Sequence, residues 1–334
     1  MTRTHLQRAR RLICELHDFI HASVTAARAR QGTSFHRVVG TTRADTIYHV
    51  DRLSEAAILD WFDRNWPKTW PVEVVMEGLD DGADATTFPQ GTPLSRTLYK
   101  CILDPIDGTR GLMYDKRSAW ILTGLAPQRG GKTTLRDITV AVMTELPNAK
   151  QLAFDQLSAV RGSGVVATRR AGGGRPHRRL NLQPSTAQDF EHGFASFCRF
   201  FPEGKAWLGE LEETLWRELK VWGKDGGAKV FDDQYISTGG QLYELAAGHD
   251  RLVADLRPLA FAALALQSGM LCCHPYDICT ALILEELGGV VEDPWGRPLH
   301  SPLDTTTSVA WVGYANRTLA HKVRPVLRKI LSRL

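Results

Sequence analysis

Leu103-Asp104-Pro105-Ile106-Asp107-Gly108-Thr109 is the stretch on which the reading of this chain turns. The apolar run Leu98–Leu103 predicts a strand that ends in two carboxylates three positions apart, separated by a proline and followed by Gly-Thr. Pro105 restricts its own backbone, so Asp104 and Asp107 can converge on one point with the Ile106 carbonyl facing inward. Hard oxygen ligands of this kind suit Mg²⁺, which takes a few carboxylates and keeps its other positions for water and substrate phosphate. Gly108 and Thr109 would then open a turn or helix whose N–H groups can receive a phosphate. On this stretch alone, a DG turn with two solvated aspartates stands as the alternative.

Two further acids extend the pattern. Val74-Val75-Met76-Glu77-Gly78 places an acid at the exit of another apolar strand; if the two strands are neighbours, Glu77 and Asp104 share a sheet edge. In His274-Pro275-Tyr276-Asp277, Pro275 opens a helix and Asp277 lies in its first turn, where the helix dipole favours negative charge. That helix runs to the Gly288-Gly289 pair.

In this order the segments resemble the magnesium-dependent, lithium-sensitive phosphatases around inositol monophosphatase, with fructose-1,6-bisphosphatase and the nucleotide bisphosphatases as relatives. The resemblance also covers Asp51-Arg52-Leu53-Ser54-Glu55 and Ser237-Thr238-Gly239-Gly240 with Ala254-Asp255, and runs from about 45 to 290 with 161–230 poorly matched. It implies an α/β (α+β) fold layered α-β-α-β-α. It implies one metal held by Glu77, Asp104 and the Ile106 carbonyl, and a second held by Asp104, Asp107 and Asp277. The cofactor implied is Mg²⁺, two or three ions, with Mn²⁺ suited to the same ligands. Thr109, bonded to Asp51, would orient the attacking water with Glu77 in the catalytic set, while Gly108 and Thr109 receive the phosphate. Asp255 and Arg110 would meet the substrate. The activity implied is hydrolysis of a small phosphate monoester, either inositol monophosphate-like or a sugar phosphate such as fructose 1,6-bisphosphate. A 3′-phosphoadenosine-type nucleotide phosphatase is the alternative within that chemistry.

The chain also departs from the family pattern. Gly78 stands where an acid commonly follows Glu77, Arg110-Gly111-Leu112 replaces an Asn-Phe type segment, and Tyr276 replaces a Trp. Asp255 is shorter than the usual Glu, and the 21 residues between it and Asp277 exceed the usual connection.

The 334 residues carry 41 Lys+Arg against 37 Asp+Glu, a net charge of +4, and the 43% hydrophobic content excludes a disordered or collagen-like chain. Six arginines lie within 161–180, a stretch without acids; the rest of the chain is slightly acidic. That stretch reads as an exposed loop, and with it comes a rival function, a weakly active relative that binds RNA or protein through the arginines. Its glycine content and lack of aromatics argue against nucleic acid as a partner. Six scattered cysteines read as reduced thiols, and the N-terminus lacks an apolar signal core, so a cytoplasmic location is expected. The uncharged run 258–276 contains two prolines and several polar residues and reads as a buried helix rather than a membrane span.

Gly130-Gly131-Lys132-Thr133 lacks the first glycine of a phosphate-binding P-loop. Cys272, Cys273, His274 and Cys279 lack paired zinc-ligand spacing. Periodicity predicts helices over about 4–29, 51–64, 205–220, 239–247, 258–268, 275–287 and 315–333. Strands are expected at 72–76, 98–103, 119–125, 138–144 and 308–312. The expected organisation is a half over 1–150 carrying Glu77 and the two-aspartate motif, and a half over 151–334 carrying Asp277 and the substrate-side segments. The two pack as one catalytic unit, and the family resemblance implies a homodimer.

Overall fold

Alternation along the strands decides how the layers stack. In the strands Ala119–Pro127 and Val140–Leu146, Ile121, Leu125, Val140 and Val142 fall in one apolar cluster while Trp120, Leu122, Ala141 and Met143 fall in another. Successive side chains on a strand point to opposite faces, so this sheet is covered on both sides. The computed structural model of the chain describes residues 2–31, 38–41, 46–79, 85–171, 177–221, 227–266 and 271–333, with side chains described outside 30–54.

The sheet has eight strands, in the order Arg178–Leu180, Val165–Ala171, Ala153–Val160, Val140–Leu146, Ala119–Pro127, Tyr99–Asp107, Val72–Met76 and Thr87–Phe88. On one face lie the helices Arg3–Gln31 and His49–Asn65, which bring Ile13, Leu16, Ile20, Ile58 and Phe62 onto Val72, Val74 and Leu103. On the other face lie Thr238–Ala246, Pro275–Ile278 and Ala281–Glu286, whose Leu242, Ile278 and Leu282 meet Trp120 and Leu122. A second sheet of five strands, Val230–Phe231, Gly193–Phe197, Asp250–Asp255, Trp311–Tyr314 and Val290–Glu292, covers that helical layer. Its far face, with Phe197, Leu252 and Val312, is closed by Lys205–Glu218 and Arg317–Leu331. The layers therefore run α-β-α-β-α, as expected from the sequence.

Two expectations need correction, on the stretch 161–180 and on the helix over 275–287. The stretch 161–180 is not simply a loop: Val165–Ala171 pairs antiparallel with both Ala153–Val160 and Arg178–Leu180, continuing the larger sheet to its edge. Arg169 and Arg170 are spent on Asp155 and Asp18, so local composition misread strand residues whose partners lie outside the stretch. The change of sheet comes between Leu180 and Gly193; residue 150 falls in the hairpin between Val140–Leu146 and Ala153–Val160. The helix expected over 275–287 is two short helices, Pro275–Ile278 and Ala281–Glu286, because the chain turns at Cys279 and Thr280. No described helix is long and apolar enough to cross a membrane.

Candidate active site

The strand Val72–Met76 pairs parallel with Tyr99–Asp107, and the Glu77 N–H donates to the Leu103 carbonyl at 3.2 Å. Glu77 and Asp104 therefore leave the sheet side by side, as the sequence led us to expect. Past Asp104 the pairing with Ala119–Pro127 is interrupted and resumes at Asp107 opposite Trp120. That irregularity contains Pro105, and it lets both aspartates of one strand serve one site. The Ile106 N–H donates to Asp104 Oδ1 at 2.8 Å, and the Thr109 hydroxyl donates to the Ile106 carbonyl at 2.7 Å. Gly108 makes the turn at φ +90°, where a Cβ would lie 2.9 Å from Ser237 Cβ and 3.0 Å from the Ile236 carbonyl oxygen.

Asp107 is held by the start of the helix Thr238–Ala246. Its Oδ2 accepts from Ser237 Oγ at 2.7 Å and from the Gly239 N–H at 2.6 Å, and Oδ1 accepts from the Thr238 N–H at 3.3 Å. Ser237 also caps this helix by accepting from the Gly240 N–H at 2.9 Å. Asp277 arrives from the second half of the chain, its Oδ2 accepting the His274 N–H across the first turn of Pro275–Ile278.

Carboxylate oxygens of Asp104, Asp107 and Asp277 all lie within 4.8 Å of one another, the spacing of a set that can hold a metal ion. Glu77 stands outside that trio but lines the same pocket. Burial pushes the Asp104 carboxyl well above the ordinary carboxylate range, and the charges of Glu77, Asp107 and Asp277 add to the shift. Asp107 is pushed up to about 7, first by burial and then by Asp277, against the opposing pull of its helix-end donors. Crowded, desolvated acids of this kind hold protons unless a cation replaces them.

Thr109, Gly108 and Arg110 line the pocket beside the acids. Asp51 belongs to the helix His49–Asn65, but its side chain lies outside those described, so its expected bond to Thr109 is not placed. The space beside Gly78, where an acid would commonly follow Glu77, is taken by the carboxylate of Glu55. Asp255 is fully covered, committed to Arg257, and not among the pocket-lining residues. The sequence reading gave no role to Arg257, Phe200, Phe201 or, although it lay in a segment carrying the resemblance, Ser237; all four line the pocket. Only Ser237 carried a signal, as a serine before a helix; the others come from segments without a motif.

This layered arrangement of sheets and helices is shared with solved structures. The extragenic suppressor protein SuhB of Bartonella henselae superposes with a TM-score of 0.63 at 16% identity, over 96% of this chain and 99% of that one. The chain has the fold of the inositol monophosphatases. Fructose-1,6-bisphosphatase of Leishmania major matches with a TM-score of 0.63 at 13% identity, over 95% of this chain and 92% of that one. A hypothetical protein of Pyrococcus horikoshii, described as similar to inositol-1 monophosphatase, matches at 0.62 and 15% identity over 97% and 98%. No family model and no curated protein matches by sequence. Within the inositol monophosphatase fold, the pocket lies where strand ends of the larger sheet meet the starts of two helices from the middle layer.

Proposed function

We propose that this chain is a metal-dependent phosphatase that hydrolyses a small phosphate monoester. The observation that carries the reading is the convergence of Asp104, Asp107 and Asp277 within 4.8 Å in a pocket also lined by Gly108 and Thr109. An all-oxygen donor set fits Mg²⁺ or Mn²⁺ better than zinc, and the raised carboxyl of Asp104 marks a place where positive charge is lacking. Glu77, Asp104, Asp107, Asp277 and the Ile106 carbonyl would hold two or three ions. Bound there, such ions supply positive charge that neutralises phosphate oxygens and acidifies water for in-line attack.

The chain's own groups do the positioning. Thr109 donates its proton to the Ile106 carbonyl, so its oxygen is left to accept a hydrogen bond from attacking water; the expected bond to the Asp51 carboxylate would need that same proton to turn away from Ile106. Backbone N–H groups at Gly108 and Thr109 serve the phosphate, and Ser237 with the start of its helix fixes Asp107. The arginine-rich rival weakens, because Arg169 and Arg170 are occupied by Asp155 and Asp18.

Phosphate release from a panel that includes inositol monophosphate, fructose 1,6-bisphosphate and 3′-phosphoadenosine compounds, with Mg²⁺ and with or without lithium, tests the reading. Turnover that disappears in Asp104→Asn is expected. Unchanged turnover in that variant would overturn the assignment.

A further inference from the structure

The residue expected to meet the substrate's alcohol, Asp255, is fully buried. What it holds instead is Arg257. The guanidinium donates from Nε to Asp255 Oδ1 at 2.8 Å, from Nη2 to Oδ2 at 2.6 Å, and from Nη1 to the Leu271 carbonyl at 3.2 Å. Its Cζ lies 4.9 Å from the ring centre of Phe200 and 5.6 Å from that of Phe201. An arginine has five N–H donors, so two are left without an acceptor among the described residues. The side chain is only 8% exposed and lines the acid-bearing pocket, so a ligand in that pocket is what those donors can reach.

Two physical consequences follow. The bidentate partner cancels the charge of Arg257, which leaves it directed N–H groups rather than long-range attraction for anions. The pocket's lining also includes Arg110, Ser237, Thr238 and Cys272, but the Phe200 and Phe201 rings beside Arg257, with Ile236 and Leu271, offer no polar side-chain atoms. A polyol pressed against them would bury hydroxyls without partners, at about 1–3 kcal/mol each. An alcohol with a flat apolar face loses nothing there and gains ring contact.

We propose that Arg257, clamped by Asp255 beside Phe200 and Phe201, is the specificity-determining residue of the pocket. It selects phosphate monoesters whose alcohol presents an apolar or aromatic face and one hydrogen-bond-accepting group, rather than a polyol hydroxylated on every side. This inference rests on the phosphatase reading and narrows its substrate class.

The test compares three alkyl esters: 2-(4-carboxyphenyl)ethyl phosphate, 2-phenylethyl phosphate and myo-inositol 1-phosphate, with binding of the matching non-hydrolysable phosphonates measured in Mg²⁺. The expected order of kcat/KM is carboxyphenyl, then phenyl, then inositol, with about tenfold or more between the ends. Arg257→Lys should raise KM for the carboxyphenyl ester about tenfold while kcat stays within about threefold, and should shift the phenyl ester less. Phe201→Ser, which leaves the Asp255 pair untouched, should erode the preference for both aryl esters, with the thermal midpoint of each variant confirming a folded protein. Preference for the inositol ester, or substitutions that slow all three esters equally, would overturn the inference while leaving a phosphatase. Selective aryl phosphonate binding without turnover of any ester would sink the phosphatase and leave the selective wall. Neither binding nor turnover would sink both.

Discussion

Asp104 stands 1% exposed with three other acids around it, and it accepts a hydrogen bond from the Ile106 N–H. A group in that position costs the fold stability whenever it is charged and no cation is near. Asp104→Asn keeps the shape and removes the charge. The thermal midpoint in a chelator should therefore rise in this variant, while the stabilisation gained on adding Mg²⁺ shrinks. Catalysis should fall by about 10³-fold, the scale set by several kcal/mol of lost charge stabilisation. Gly108 makes the opposite case, a residue chosen for what it lacks. At φ +90° and with Ser237 Cβ 2.9 Å from where its own Cβ would sit, Gly108→Ala should destabilise by about 1–3 kcal/mol in urea titrations. The motif made Asp104 legible, and Gly108 was legible only as part of it. Arg257 was not legible, because nothing local distinguishes it from a solvated arginine; its meaning comes from Asp255, Phe200 and Phe201 being packed around it.

At the level of elements, the start of the helix Thr238–Ala246 supplies three donors to Asp107 through Ser237, Thr238 and Gly239. Ser237→Ala removes one donor and the helix cap together. It should lower Mg²⁺ affinity by about tenfold in calorimetric titration and cost about 1 kcal/mol of stability. The helix Arg3–Gln31 carries a different device. His17 is fully buried, with its ring nitrogens 2.9 Å from Thr144 Oγ1 and 2.8 Å from Thr123 Oγ1. Burial, with a smaller contribution from Arg170, lowers its pKa from 6.5 to about 3. The unfolded chain therefore binds a proton that the folded chain refuses across that interval. Stability is fully present above pH 6.5 and is lost as pH falls towards 3, by an amount on the order of several kcal/mol. Unfolding free energy of wild type and His17→Gln, measured between pH 7 and 4, should show the steeper fall in wild type.

For the molecule as a whole, the arginine-rich stretch changes meaning once its partners are visible. Asp155 is 1% exposed and receives two bonds at 2.8 Å from Arg169 and one at 2.6 Å from the Tyr243 hydroxyl. Deleting 169–180 strips strand pairing from the sheet edge and leaves that carboxylate without its cation, so a loss of about 3 kcal/mol or more is expected in chemical denaturation. A dispensable loop would leave the denaturation midpoint unchanged. Alternating apolar residues and the Pro and Gly positions determined the strands Val72–Met76 and Ala119–Pro127, the long first helix and the two-aspartate turn, because those signals act over a few residues. The acids Glu77, Asp104, Asp107 and Asp277 were nameable for the same reason, each sitting at the end of a readable element. The resemblance already implied that Asp277 joins Asp104 and Asp107, and the structure brings their oxygens within 4.8 Å; the tertiary structure alone decided that Asp255 turns away to hold Arg257 and that the arginines of 169–170 belong to a sheet. Those outcomes depend on burial and on contacts between segments far apart in the chain, such as Arg170 with Asp18 and Arg257 with Phe200, and such contacts exist only once the layers have closed on one another.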